Sequence, residues 1–91
     1  MPQIERIVWT RGFKRAFNKR VLGKSSEKRF TERLEIFSRD PFDPRIKTHK
    51  LSGKLDDLWS FSVAFDCRVI FKFISDHEAL LIDIGSHEEV Y

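Results

Sequence analysis

Residues 59–73, WSFSVAFDCRVIFKF, decide the fold. Read by period two, Trp59, Phe61, Val63 and Phe65 fall on one side of a strand, with Ser60, Ser62 and Ala64 on the other. Val69, Phe71 and Phe73 then alternate against Arg68, Ile70 and Lys72. Two strands that are aromatic on one face and polar on the other predict an antiparallel pair with one face buried. Asp66 and its neighbours form the turn between them.

Working outward from this pair, residues 79–85, ALLIDIG, follow a turn at SDHE and predict a third strand with Leu80, Ile82 and Ile84 on one face. His77 is expected to be a turn residue only. Upstream, residues 40–57 contain Pro41 and Pro44 and lose all periodicity, which predicts a long ordered loop. Before it, residues 25–40 space Phe30, Leu34 and Phe37 along one helical stripe, with Ser25 or Ser26 as N-cap and Glu27 in the first turn. Residues 10–22 space Phe13, Phe17 and Val21 four apart, with Thr10 as N-cap and Gly23 at the exit. A short strand over residues 3–9 begins the chain.

The predicted order is β-α-α-β-β-β. Apolar strand faces need a cover and two amphipathic helices can supply it, so the expected fold is α+β: a small antiparallel-rich sheet with a helix hairpin on one face. Ninety-one residues suffice for one domain, residues 1–91, with one modest core. The second sheet face, carrying Ser60, Ser62, Arg68, Lys72 and Asp83, is then left open. An Arg68–Asp83 ion pair across that face is the structural alternative to a free, functional Arg68.

Charge is distributed unevenly. Residues 1–54 hold 15 Lys and Arg against 6 Asp and Glu, a net +9, whereas residues 55–91 hold 2 against 8, a net −6. A basic half of this size suits a phosphate-rich or acidic partner. Lys14, Arg15, Lys19 and Arg20 on the first helix are candidate phosphate contacts. So are Lys47, Lys50 and Lys54 in the loop, and Ser62 and Lys72 on the open face. No long apolar run or signal-peptide pattern occurs, so a cytoplasmic protein without membrane contact is expected. The single cysteine, Cys67, lies in a strand and reads as a small buried residue. There is no His-x-x-x-His helix, cysteine cluster or glycine-rich phosphate loop, so neither a metal nor a small-molecule cofactor is expected.

The stretch HKLSGKLDDLWSFSVAFDCRVIFKF (49–73), with LLIDIGSHEEVY (80–91), resembles the RelE/ParE superfamily of type II toxin-antitoxin toxins, in its RelE- and YafQ-like mRNA interferase branch. The resemblance implies a small toxin that binds the 70S ribosome, cleaves mRNA in the A site without a metal, and is held inactive by a cognate antitoxin. It also implies catalytic roles for His49, Asp66 and His87, a place near the scissile phosphate for Arg68, and a terminal aromatic at Tyr91. Ser62 stands where the YafQ pattern has a second histidine, and Ser60 and Ser62 lie near lysines of the RelE pattern.

Metal-free RNA cleavage requires a base for the 2′-OH, an acid for the departing 5′-oxygen and a cation for the phosphorane. Histidine suits both proton steps because its ordinary pKa is about 6.5. The expected roles are His49 or Asp66 as base, His87 as acid and Arg68 as stabiliser. Tyr91 either stacks on an unpaired base or folds back as an apolar plug. The alternatives are a non-enzymatic, ParE-like DNA gyrase inhibitor on the same fold, and an attenuated toxin that acts mainly by binding its antitoxin.

Overall fold

The computed structural model describes residues 3–52 and 57–91. Its elements in chain order are β1 (Arg6–Trp9), α1 (Arg11–Arg20), α2 (Ser25–Arg39), a 3-10 turn (Pro44–Ile46), β2 (His49–Lys50), β3 (Trp59–Ala64), β4 (Cys67–Ser75), β5 (Glu78–Gly85) and α3 (His87–Val90). The five strands form one sheet in the order β1-β5-β4-β3-β2, with β1 parallel to β5 and the other pairs antiparallel. The α+β expectation holds, with three additions: a 3-10 turn and a two-residue strand inside the expected loop, and a one-turn helix at the chain end.

Helix α1 starts where the sequence predicts, because the Thr10 hydroxyl accepts the Phe13 N–H at 3.0 Å. It buries Phe13, Ala16 and Phe17, and the chain then turns through Gly23 in the left-handed region at φ 78°. Neither Ser25 nor Ser26 caps α2. Lys24 occupies the cap position without a side-chain bond, and the Glu27 carboxylate instead accepts the Gly23 N–H at 2.8 Å.

The core lies between the helix hairpin and one sheet face. Trp9, Phe13, Phe17 and Phe30 pack together at one end, with Trp9 and Phe13 centroids 4.8 Å apart. Phe37 joins the helices to the sheet, stacking on Phe61 at 4.8 Å and meeting Phe71 edge-on at 4.8 Å. At the far edge Phe42, Trp59 and Phe73 form a third aromatic group, which makes Trp59 a packing residue.

Two strand faces depart from strict alternation. Phe65, expected with Phe61 and Val63 in the core, is fully exposed, because the register shifts between Ser62 and Ala64 and the strand ends before it. In β5 the buried residues are Ala79, Leu81, Ile84 and Gly85; Leu80 and Ile82 are half-buried. Ile70 pairs with Asp83 and Phe71 with Leu81, so Ile82 is an extra residue that reverses the parity of the strand at that point. The uncovered face is accordingly less polar than the sequence suggests: Ile70 and Ser60, expected there as open positions, are both buried.

His77 is a turn residue that also secures β1. Its carbonyl accepts the Glu5 and Arg6 N–H groups at 2.7 and 3.3 Å, and its ring Nδ1 lies 3.0 Å from the Gln3 carbonyl.

Candidate functional site

The 3-10 turn and β2 bring the loop histidine onto the sheet. Asp43 caps the turn by accepting the Arg45 N–H at 2.9 Å, and the same carboxylate pairs with the Arg45 guanidinium. That hydrogen-bonded cation lowers the Asp43 pKa to about 2. Lys47 then takes a left-handed conformation at φ 52°, unusual for a residue with a side chain, and reverses the chain into β2. His49 pairs with Ser60 and lies on the uncovered face, whereas Lys50, opposite Trp59, alternates to the other side.

The result is a cleft of about 360 Å³ lined by Lys47, His49, Ser60, Ser62, Phe65 and Arg68. Two cationic side chains and one histidine surround a floor of hydroxyl groups. The Ser60 residue is only 1% exposed, and neither its hydroxyl nor the Arg68 Nε has a hydrogen-bond partner among the described residues. Buried polar groups without partners cost about 1–3 kcal/mol each, so such groups at a cleft are poised for a ligand that hydrogen-bonds them. Arg68 is not neutralised by Asp83. That carboxylate accepts from Arg20 instead, at 3.2 Å, and among the described residues no acid pairs with Arg68.

His49 has a defined polarity. Its Nδ1 lies 3.1 Å from the Lys47 carbonyl oxygen, which can only accept, so Nδ1 carries the hydrogen and Nε2 of the neutral ring bears the lone pair.

The chain end reaches the cleft through Arg68. The Arg68 guanidinium carbon stands 6.0 Å from the Tyr91 ring centre, and the Tyr91 and His87 rings meet edge-on at 4.6 Å. His87 is exposed at the start of α3 and does not line the cleft itself. Asp66 is exposed in the β3–β4 turn and lines the adjoining surface with Ser86 and Glu89, away from His49. Of the five residues singled out from sequence, the structure therefore joins His49 and Arg68 in one cleft, attaches Tyr91 and His87 to its Arg68 side, and places Asp66 around the corner.

Helix α3 is held by a junction that sequence reading missed. Ser86 and Glu89 form a reciprocal capping box: the Ser86 hydroxyl accepts the Glu89 N–H at 3.3 Å, and the Glu89 carboxylate accepts the Ser86 N–H at 2.7 Å. The Ser86 amide, with a smaller contribution from the Arg20 charge, lowers the Glu89 pKa. Arg20 completes the junction, donating to Asp83 at 3.2 Å and to the Ile84 carbonyl at 3.0 Å, with its Nε 3.5 Å from Glu89. Arg20, expected to contact phosphate, is instead engaged by these partners. The sequence signal for the box was present as Ser86-x-x-Glu89; the arginine, 63 positions upstream of Asp83, had none.

The remaining basic candidates fall into groups. Lys47 and Ser62 line the cleft, and Lys72 is exposed on the same face, two residues beyond Ile70. Lys14, Arg15 and Lys19 are exposed on α1, the helix that packs on the opposite face. Lys54 lies outside the described residues. Cys67 is buried, and burial, with the Glu89 and Asp66 charges, raises its pKa and keeps the thiol protonated. Among the described residues no three His, Cys, Asp or Glu side chains are grouped to hold a metal ion, and no helix is long and apolar enough to cross a membrane.

Several solved toxin structures share this architecture. The Escherichia coli DinJ-YafQ toxin-antitoxin complex contains a chain that superposes with a TM-score of 0.77, at 14% identity, over 98% of this chain and 98% of that one. YafQ from E. coli strain BL21(DE3) gives 0.69 at 19% identity, over 93% and 96% of the two chains. The archaeal RelE-RelB complex from Pyrococcus horikoshii OT3 gives 0.67 at 24%, over 89% and 92%. These similarities define the fold as that of the RelE-like toxins. No curated protein matches the chain by sequence. The model of the YafQ family, bacterial toxins of type II toxin-antitoxin systems, does match, over residues 5–91, and the chain belongs to that family.

Proposed function

We propose that this toxin is a ribosome-dependent endoribonuclease that cleaves mRNA in the A site by metal-independent acid-base chemistry. The observation that carries the reading is the cleft itself. There, an Arg68 and a Ser60 hydroxyl without partners among the described residues face a histidine whose Nε2 is free to accept a proton. A phosphodiester fits this set. Its negative oxygens would take the Arg68 and Ser60 donors, with Lys47 adding charge at the rim.

In the reaction, His49 Nε2 takes the proton of the 2′-OH as that oxygen attacks phosphorus. The bond from phosphorus to the 5′-oxygen breaks, and protonated His87 gives its proton to the leaving oxygen on the Tyr91 side of Arg68. The products are a 2′,3′-cyclic phosphate and a free 5′-hydroxyl. Arg68 stabilises the charge that accumulates on the phosphorane. Between the two bases that the sequence leaves open, the geometry favours His49, since Asp66 is not among the residues lining the cleft.

A cognate antitoxin is the second partner in this proposal, by analogy with the DinJ-YafQ and RelE-RelB complexes. The cytoplasm is the compartment where ribosomes and such a partner would meet the toxin. The test is cleavage of a reporter mRNA by purified protein with and without programmed 70S ribosomes, mapping the cut and its end groups. Cutting within the A-site codon that appears only with ribosomes and leaves a cyclic phosphate is the expected result. Folded protein that cuts in neither condition overturns the reading and directs attention to DNA gyrase supercoiling.

A further inference from the structure

The β3–β4 turn carries a residue that turn chemistry does not require. Phe65 and Asp66 connect Ala64 to Cys67, which pair across the turn. Such positions are ordinarily filled by Gly, Asn, Asp or Pro. Phe65 is 100% exposed, so its ring gains nothing from burial, and yet it lines the cleft beside His49 and Arg68. Its position follows from the register shift after Ser62, which removes it from the core-facing series of Phe61 and Val63.

The other aromatic ring near the cleft is already engaged. Tyr91 is 40% exposed, stands edge-on to His87 and has the Arg68 guanidinium near its ring. Phe65 is therefore the ring with its faces free at the rim of a cationic cleft. A polyanion that also presents flat π surfaces matches both features, and among biological polymers that is single-stranded nucleic acid.

We propose that Phe65 is a stacking platform for an unpaired base of the RNA strand whose phosphate occupies the cleft. The proposal rests on the RNA reading of the cleft but not on cleavage. A phenyl ring offers no hydrogen bond, so the subsite selects by stacking area and favours purines over pyrimidines.

The experiment uses a non-cleavable mRNA with 2′-O-methyl groups, free and in programmed 70S ribosomes, and compares the wild-type chain with Phe65→Ala, Phe65→Leu and Phe65→Trp. Because the side chain is fully exposed, the variants are expected to keep the wild-type melting temperature. Loss of one stacked base, at about 1–3 kcal/mol, corresponds to a roughly 5- to 150-fold weaker affinity for Phe65→Ala. Phe65→Leu should lose most of the affinity and Phe65→Trp should retain it. An abasic nucleotide at one position of the mRNA should weaken the wild type equally and leave Phe65→Ala unchanged.

Binding with this pattern but no cutting of ordinary mRNA would support the stacking site while refuting the nuclease. Wild-type affinity in Phe65→Ala overturns the proposal, as does equal affinity in the Leu variant, which would show a merely apolar contact. Intact RNA binding with lost capture of the antitoxin would also overturn it, reassigning the ring to the protein partner.

Discussion

A carbonyl oxygen cannot donate a hydrogen bond, and the polarity of the His49 ring follows from that. The Lys47 carbonyl fixes the tautomer of His49, and with it the nitrogen that can act as base. His49→Ala should slow single-turnover cleavage on programmed ribosomes by about 10²- to 10⁴-fold, the ordinary contribution of a proton-transfer group. A wild-type rate in that variant would remove His49 from the chemistry. Arg68→Ala should cost about 10²- to 10³-fold because the phosphorane charge is then left without its donor, and Arg68→Lys should recover only part of it, because a point charge replaces a planar fork. Equal rates for the Ala and Lys variants would show that charge is irrelevant there. The residue types were readable in sequence, since His, Arg and the terminal Tyr are conspicuous around strongly alternating strands. Their grouping was not, because the neighbours of Arg68 depend on which cation Asp83 serves, and that is decided by Arg20 on a different element.

At the scale of elements, α3 is too short to be stable alone, since a four-residue helix cannot repay its nucleation cost. It persists through the capping box and the Arg20 junction, and both close tightly on Gly85. A Cβ there would fall 2.8 Å from Glu89 Oε1 and 2.9 Å from Arg20 Nη1, closer than atoms of that kind approach. Gly85→Ala should therefore lower the melting temperature and broaden the His87 and Tyr91 ring resonances, while leaving the β3–β4 amides unshifted. Sharp, unshifted ring signals in a destabilised variant would show that the junction does not position the chain end. The same junction has a pH dependence of known sign. Glu89 is held below its ordinary value by the Ser86 amide, so its stabilisation is complete above the unfolded carboxylate range and is lost as pH falls through the lowered folded value. Acidification below about 4.5 should free α3 and release the Ser86 amide to exchange, whereas a Ser86 amide equally protected at pH 3 and 7 would contradict the sign. The elements themselves were legible because α1 and α2 hold to a 3.6-residue period and β3 and β4 to a two-residue one. The failures occur where one residue is inserted: Ile82 in β5 and the shift after Ser62 each reverse a face, and no local sequence feature marks either.

For the whole molecule, the sheet separates the basic surface into two fields. Lys47 and Lys72 lie on the cleft face with Arg68, while Lys14 and Arg15 lie on α1, which covers the other face. Composition alone could report the +9 half of the chain but not this division, because it arises only when α1 packs on the face opposite the cleft. Under the proposed function, a ribosome engaged through the cleft would contribute mRNA phosphates on one side, leaving the α1 cations available to ribosomal RNA on another. Two double reversals separate these contributions. Lys14→Glu with Arg15→Glu should weaken binding to programmed ribosomes and reduce the slope of log K against log salt by about one for each phosphate that is no longer neutralised, yet leave the cleavage rate of fully bound toxin near wild type. Lys47→Glu with Lys72→Glu should lower both affinity and the rate when bound, since under the proposed function these side chains would act on the strand that is cut. Measured as single-turnover rates at saturating ribosome across a salt series, a rate loss in the α1 pair would place that helix against the substrate. A salt slope unchanged in both pairs would mean that neither field touches phosphate. Only the division of binding from chemistry between the two faces is consistent with a toxin that docks with its helices and cuts with its sheet.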